Sequence, residues 1–159
     1  LSLKTKNEQL DVVSNLERIL HLLDDYDVFL TLETDLPPKQ FKEFILSFNH
    51  PKIKANYDVG NSAALGYNMK EEFENIGNLI HNVHIKDRIY SGNTVPLGTG
   101  SVDFNSFFEL LKQNNYVGDL IIQGAREIGI DSKTTTTNYL KFVRQLVDKY
   151  LFNDSNDSK

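Results

Sequence analysis

The chain contains no cysteine. That excludes a disulfide framework, a zinc–thiolate site and a thiol nucleophile. It also lacks long apolar runs. None approaches the ~20 residues a helix needs to span a bilayer, and no secretory leader is visible. Basic charge is in short supply: 17 Lys and Arg stand against 22 Asp and Glu, a formal net charge of −5. Such a balance argues against a phosphate-neutralising surface. Neither nucleic acid nor membrane is therefore expected as a partner, and the lack of cysteine fits a cytoplasmic setting. What remains is ordinary globular composition, 40% hydrophobic and 25% charged over 159 residues. One domain with a real core is the expectation.

Periodicity and turn chemistry divide the chain into alternating elements. Leu10, Val13, Leu16, Leu20 and Leu23 recur at helical spacing and predict a helix over 8–23, closed by Asp24, Asp25 and Asp27. Val28–Leu32 reads as a strand. Pro37 and Pro38 break the chain before a helix over 38–48. Ile53–Tyr57 is the second strand, followed by a turn at Gly60 and Asn61 and a helix over 69–80. Ile80–Val83 is the third strand, after which Asp87 and Arg88 open a glycine-bearing loop. Asp103 is placed to cap a helix over 104–114. Asp119–Ile122 is the fourth strand. A loop with four successive threonines then leads to a helix over 137–151, with Phe142, Leu146 and Val147 inward. Residues 153–159 are polar and predicted to be disordered.

A polar residue ends each of the four apolar runs: Glu33, Asp58, His84 and Gln123, at spacings of 25, 26 and 39 residues. Strands alternating with helices imply a parallel sheet. In such folds ligands bind at the carboxyl ends of the strands, where all four residues fall. Carboxylate oxygens with an imidazole nitrogen suit Mn²⁺, Mg²⁺, Co²⁺ or Zn²⁺, and hard oxygen donors favour the first two. A small doubly wound sheet shares the strand pattern, without explaining why metal-type ligands end successive strands.

Four segments carry a family resemblance: "LTLET", "NYDVGNSAALGY", "NVHIKDR" and "VPLGTGSVDF", in that order. Together, over residues 8–150, they resemble the C-terminal half of the xylose-isomerase-like TIM barrels, and among these the sugar phosphate isomerase/epimerase group. The resemblance implies an α/β fold: strands five to eight of a (β/α)8 barrel, parallel strands with outer helices, formed by residues 1–152. It implies a divalent metal held by Glu, Asp, His and a second Glu, which stabilises an enediolate of a small sugar or sugar phosphate. Glu33, Asp58 and His84 match the first three ligands. Gln123 stands where the family usually has Glu. A Gln carbonyl can still ligate, but it brings no charge and no proton-transfer group. Glu33 then remains the obvious base, and a single base suits isomerisation by a same-face proton shuttle better than a two-base epimerisation.

The family barrel needs about 250 residues, and this chain supplies only four β/α units. Two unpaired edges follow. The expectation is either a piece of a longer protein lacking its N-terminal half barrel or a homodimer of halves, and the abrupt start at a helix favours the first. Substrate contacts are expected from Asn61, Lys86, Arg88 and Arg126, read respectively against turn formation, solvated charges and a structural salt bridge. Gly98 and Gly100 in "LGTG" lack the Lys-Ser/Thr of a phosphate loop and read as a tight turn. Thr134–Thr137 read as a helix cap, with a phosphate contact as the alternative. His81, at an odd offset from His84, reads as packing or surface. Tyr57 and Tyr67 read as packing. Two functions remain open: a metal-dependent isomerase or epimerase, and an incomplete or non-catalytic half barrel that needs a partner half. An endonuclease-IV type of phosphodiesterase is disfavoured, since its three-zinc site needs more histidine than the four present.

Overall fold

The computed structural model describes residues 1–152; the tail expected to be disordered, 153–159, lies outside them. The chain opens with helix α1, Lys6–Glu17, started by a capping box between Thr5 and Glu8. A separate short helix, α2, follows at Leu20–Asp25. The single helix expected over 8–23 thus starts earlier and breaks at Arg18 and Ile19. Strand β1 is Leu30–Leu32, shorter than expected, because the Val28 N–H is taken by the Leu23 carbonyl at 3.0 Å. Helix α3, Pro38–Ser47, begins with proline at its first turn.

Strand β2, Ile53–Asp58, runs directly into helix α4, Val59–Leu65. Gly60 and Asn61 are therefore helical, not a turn. The cause is local: the Asp58 carboxylate accepts the Asn61 N–H at 2.8 Å and caps the helix at the strand end. Gly66 ends it at φ +75°, in the left-handed region. Helix α5, Met69–Ile76, is capped by Asn68 and runs into a single 3₁₀ turn at Gly77–Leu79. Strand β3 spans Ile80–Ile85. Asp87 and Arg88 form a two-residue strand, β4, antiparallel to β5, Thr94–Val95, where a loop was expected. Helix α6, Phe104–Gln113, is capped by Asp103 as expected. Strand β6 is Asp119–Ile122. Helix α7 runs Ser132–Tyr150, well ahead of the expected start at 137. Asp131 is its cap, so the four threonines lie inside the helix rather than in a preceding loop.

The main sheet has the order β1-β2-β3-β6, all parallel. Its outward residues, Ile53, Ala55, Tyr57, Val83 and Ile85, are buried against Phe41, Phe44, Phe73, Phe107, Phe108 and Leu111 of the helices. Alternation along each strand sends the remaining side chains to the other face. There the register sets Asn56 beside Asn82 and Asp58 beside His84. One face is thus an aromatic core and the other is polar. No described helix is long and apolar enough to cross a membrane.

Candidate metal centre

Glu33 directly follows β1, Asp58 ends β2 and His84 is the penultimate residue of β3. Parallel pairing holds these strand ends side by side, so the three side chains meet without any loop to place them. One donor atom from each lies within 4.8 Å of the others. His84 Nδ1 is 3.3 Å from Glu33 Oε2 and 3.9 Å from Asp58 Oδ2. The Asp58 side chain is 1% exposed and that of His84 20%. Two carboxylates and an imidazole converging from three strands fit a hard or borderline divalent ion.

Amides and cations surround the three. Asn56 Nδ2 donates to Glu33 Oε2 at 2.7 Å and lies 3.0 Å from His84 Nδ1. Its own Oδ1 accepts from Asn82 at 2.7 Å, which fixes the amide's orientation. Asn61 Nδ2 donates to Glu33 Oε1 at 2.6 Å. Both oxygens of Glu33 are therefore held by neutral donors. Lys86 Nζ lies 3.0 Å from Asp58 Oδ2, and Arg88 donates to Asn61 Oδ1 at 2.9 Å and to the Gly92 carbonyl. The ammonium of Lys86 offsets part of the charge of two neighbouring carboxylates.

Of the residues singled out in the sequence, Glu33, Asp58, Asn61, His84, Lys86 and Arg88 meet in one connected group. Among the described residues no side-chain hydrogen bond or ion pair ties Gln123 or Arg126 to it. Ile121 is level with His84 in the β3–β6 register, which puts Gln123 one step beyond, on the same face. It is exposed there, and its backbone N–H is taken by Ile85. Arg126 is exposed in a different cleft, beside Gly124, Thr135 and Tyr139.

Sequence reasoning missed four residues. Asn56 and Asn82 sit two positions before Asp58 and His84, so strand alternation alone puts them on the ligand face. Asp87 is fully buried and accepts the N–H groups of Gly98, Gly100 and Val102 at 2.9, 2.8 and 3.2 Å. The amides of "LGTG" are thus committed to the chain's own carboxylate, and the tight-turn expectation holds, with Gly98 at φ +83°. Glu72, buried on α5, accepts from Tyr57 Oη at 2.7 Å and from Ser62. Burial pushes its carboxyl above the usual 4.5 and pushes the Tyr57 phenol well up too.

Comparison with known proteins agrees with this architecture. The model of the xylose isomerase-like TIM barrel family matches residues 3–145. An L-ribulose-5-phosphate 3-epimerase of Escherichia coli O1:K1 is 37% identical over 78 residues, 48% of this chain and 27% of that protein. Among solved structures, a xylose isomerase domain protein from Planctomyces limnophilus superposes with a TM-score of 0.80 at 21% identity, covering 93% of this chain and 57% of that one. The IolI protein with a bound zinc atom superposes at 0.78 with 19% identity, covering 93% and 59%. In each case the match spans less than two thirds of the longer protein. The chain belongs to the xylose isomerase-like TIM barrel family, and its four β/α units correspond to part of that barrel.

Proposed function

We propose that this chain carries the ligand-bearing half of a divalent-metal-dependent isomerase or epimerase of a small sugar or sugar phosphate. The observation that carries this reading is the convergence of Glu33, Asp58 and His84 within 4.8 Å at three adjacent parallel strand ends. The similarity to L-ribulose-5-phosphate 3-epimerase supports the substrate class. Glu33, Asp58 and His84 would hold Mn²⁺, Mg²⁺, Co²⁺ or Zn²⁺, with the Gln123 carboxamide at the fourth family position. When bound, such an ion withdraws electron density from the carbonyl and hydroxyl oxygens of an open-chain sugar.

The remaining steps fall to side chains. Glu33 removes the proton from the carbon beside the carbonyl, leaving an enediolate. Asn56 and Asn61 hold its two oxygens and so set its direction. Lys86 and Arg88 stand at the rim, where an oxyanion or a phosphate needs a cation, and Arg126 is a further anion contact on the last strand–helix loop. Returning that proton from Glu33 to the neighbouring carbon, while the hydroxyl proton passes between the two enediolate oxygens, completes an isomerisation. Epimerisation requires a proton from the opposite face, and Gln123 has none to give.

A second reading is favoured by a specific observation: β1 and β6 each pair on one side only, and Phe29 and Ile121 are 44% exposed. On that reading the chain is an incomplete half barrel, active only with a partner half. Calorimetric titration of the 159-residue chain with Mn²⁺ tests the site itself. One ion per chain, lost in His84→Ala, is the expected result. A folded sample that binds no Mn²⁺ overturns the metal site in this half and leaves the partner-dependent reading.

A further inference from the structure

Helix α5 turns Met69, Glu72, Phe73 and Ile76 toward the sheet. Glu72 is a carboxyl in an otherwise apolar stripe, 5% exposed. Such a group is retained only with partners, and its partners are informative. Tyr57 Oη reaches Glu72 Oε2 from β2, and Ser62 Oγ reaches the same oxygen from α4. Tyr57 Oη also lies 3.3 Å from Ser62 Oγ, closing a triangle. Each partner is the chain neighbour of a site residue. Tyr57 precedes Asp58, and Ser62 follows Asn61. The Asn61 N–H and side chain in turn bind Asp58 and Glu33. A small cavity of about 30 Å³ is lined both by Tyr57, Ser62 and Glu72 and by Glu33, Asp58 and Asn61.

Resting on the metal-site reading above, we infer that Glu72 is a positioning residue: its carboxyl, gripping Tyr57 and Ser62 from behind the sheet, fixes the junction of β2 and α4 that presents Asp58 and Asn61. The grip is one of hydrogen-bond geometry. A single oxygen accepts both hydroxyls, and a carboxamide oxygen in the same place does the same. Charge is not required, and burial disfavours it.

The test compares Glu72→Ala with Glu72→Gln in the 159-residue chain. Mn²⁺ affinity is read by calorimetry and exchange of the Asn61 amide by NMR, with the melting temperature as a record of stability. Loss of an outer partner of a metal ligand typically costs 10–100-fold in affinity. Glu72→Ala is expected to weaken Mn²⁺ binding by about 10-fold or more and to speed Asn61 exchange, while Glu72→Gln stays within about 2-fold on both. Ser62→Ala, which removes one bond and leaves Glu72 in place, is expected about 3-fold weaker; it decides the matter if Glu72→Ala does not fold. A lowered melting temperature with unchanged affinity and exchange overturns the inference, as does Glu72→Gln behaving like Glu72→Ala. If the unsubstituted chain binds no Mn²⁺, the metal-site reading fails, and Asn61 exchange alone still decides whether Glu72 positions the junction.

Discussion

At the middle of the sheet β2 and β3 each have a strand on both sides, whereas β6 at the edge has only β3 among the described residues. The contrast runs through everything the strands carry. On the helix-covered face Val83 and Ile85 of β3 are 0% exposed, while Leu120 and Ile122 of β6 are only half-buried. Asp58 and His84, in the middle, are met by the Asn56 side chain of β2, the Asn61 N–H of α4 and the Lys86 ammonium just after β3. Gln123, at the edge, is exposed. Glu33, at the opposite edge, still joins the site because Asn56 and Asn61 reach both of its oxygens, so what admits a residue is partners within hydrogen-bonding reach and not its strand's place in the sheet.

The contrast is sharpest in packing. Ile85→Ala is expected to cost about 2–5 kcal/mol, since it leaves a cavity in a closed core. Ile121→Ala is expected to cost about 0.5 kcal/mol or less, as for a surface substitution. Urea unfolding of both variants checks this, and equal costs would erase the distinction between the closed core face of β3 and the open face at the β6 edge.

The next test is on the ligands. His84→Ala is expected to weaken Mn²⁺ binding by more than the roughly 10–100-fold typical of an outer partner. Gln123→Ala should change it by no more than about 3-fold, because a neutral amide at an exposed edge contributes little charge. A calorimetric comparison in which Gln123→Ala loses as much as His84→Ala would place the edge residue in the coordination shell after all. Gln123→Glu, by adding a charge at the same point, is expected to tighten binding.

Glu72 gives a pH-dependent version of the same comparison. Its carboxyl is raised above 4.5 by burial in the folded protein, so the folded state favours the protonated form. The stability this contributes is complete below the unfolded value and is lost as pH rises through the raised folded value. Glu72→Gln, which keeps the neutral shape, is therefore expected to melt with the parent near pH 4 and above it at pH 8. Parallel melting curves across that range would mean that the carboxyl titrates normally.

The smallest expected effect is at a helix end remote from the site. Asp131 accepts the Thr134 N–H at 3.0 Å at the start of α7. Asp131→Ala should lower the melting temperature slightly, by loss of the helix cap, and leave Mn²⁺ binding unchanged. A change in binding would tie the β6–α7 edge to the centre.

Much of the architecture was legible in the chain. All four strands, the alternation with helices and the cap at Asp103 follow from short-range patterns. Boundaries went astray where one hydrogen bond overruled the pattern. The Asp58 cap turned "VGN" from a turn into a helix, Asp131 drew the threonines into α7, and the Leu23 carbonyl delayed β1. Glu33, Asp58 and His84 were legible because each ends an apolar run. Asn56 and Asn82 were within reach of the same alternation, and Glu72 showed only as a polar residue in an apolar helical stripe.

Sequence alone determined that Glu33, Asp58 and His84 fall at or near strand ends and which faces strand residues share, because side-chain direction repeats every two residues along a strand and is a property of the local backbone. Only the tertiary structure decided that Asn56 lies against both Glu33 and His84 and that Glu72 grips Tyr57 and Ser62. Those contacts depend on the register between strands and on the packing of α4 and α5 against the sheet. Each joins residues distant in the chain, and no local pattern encodes the distance between them.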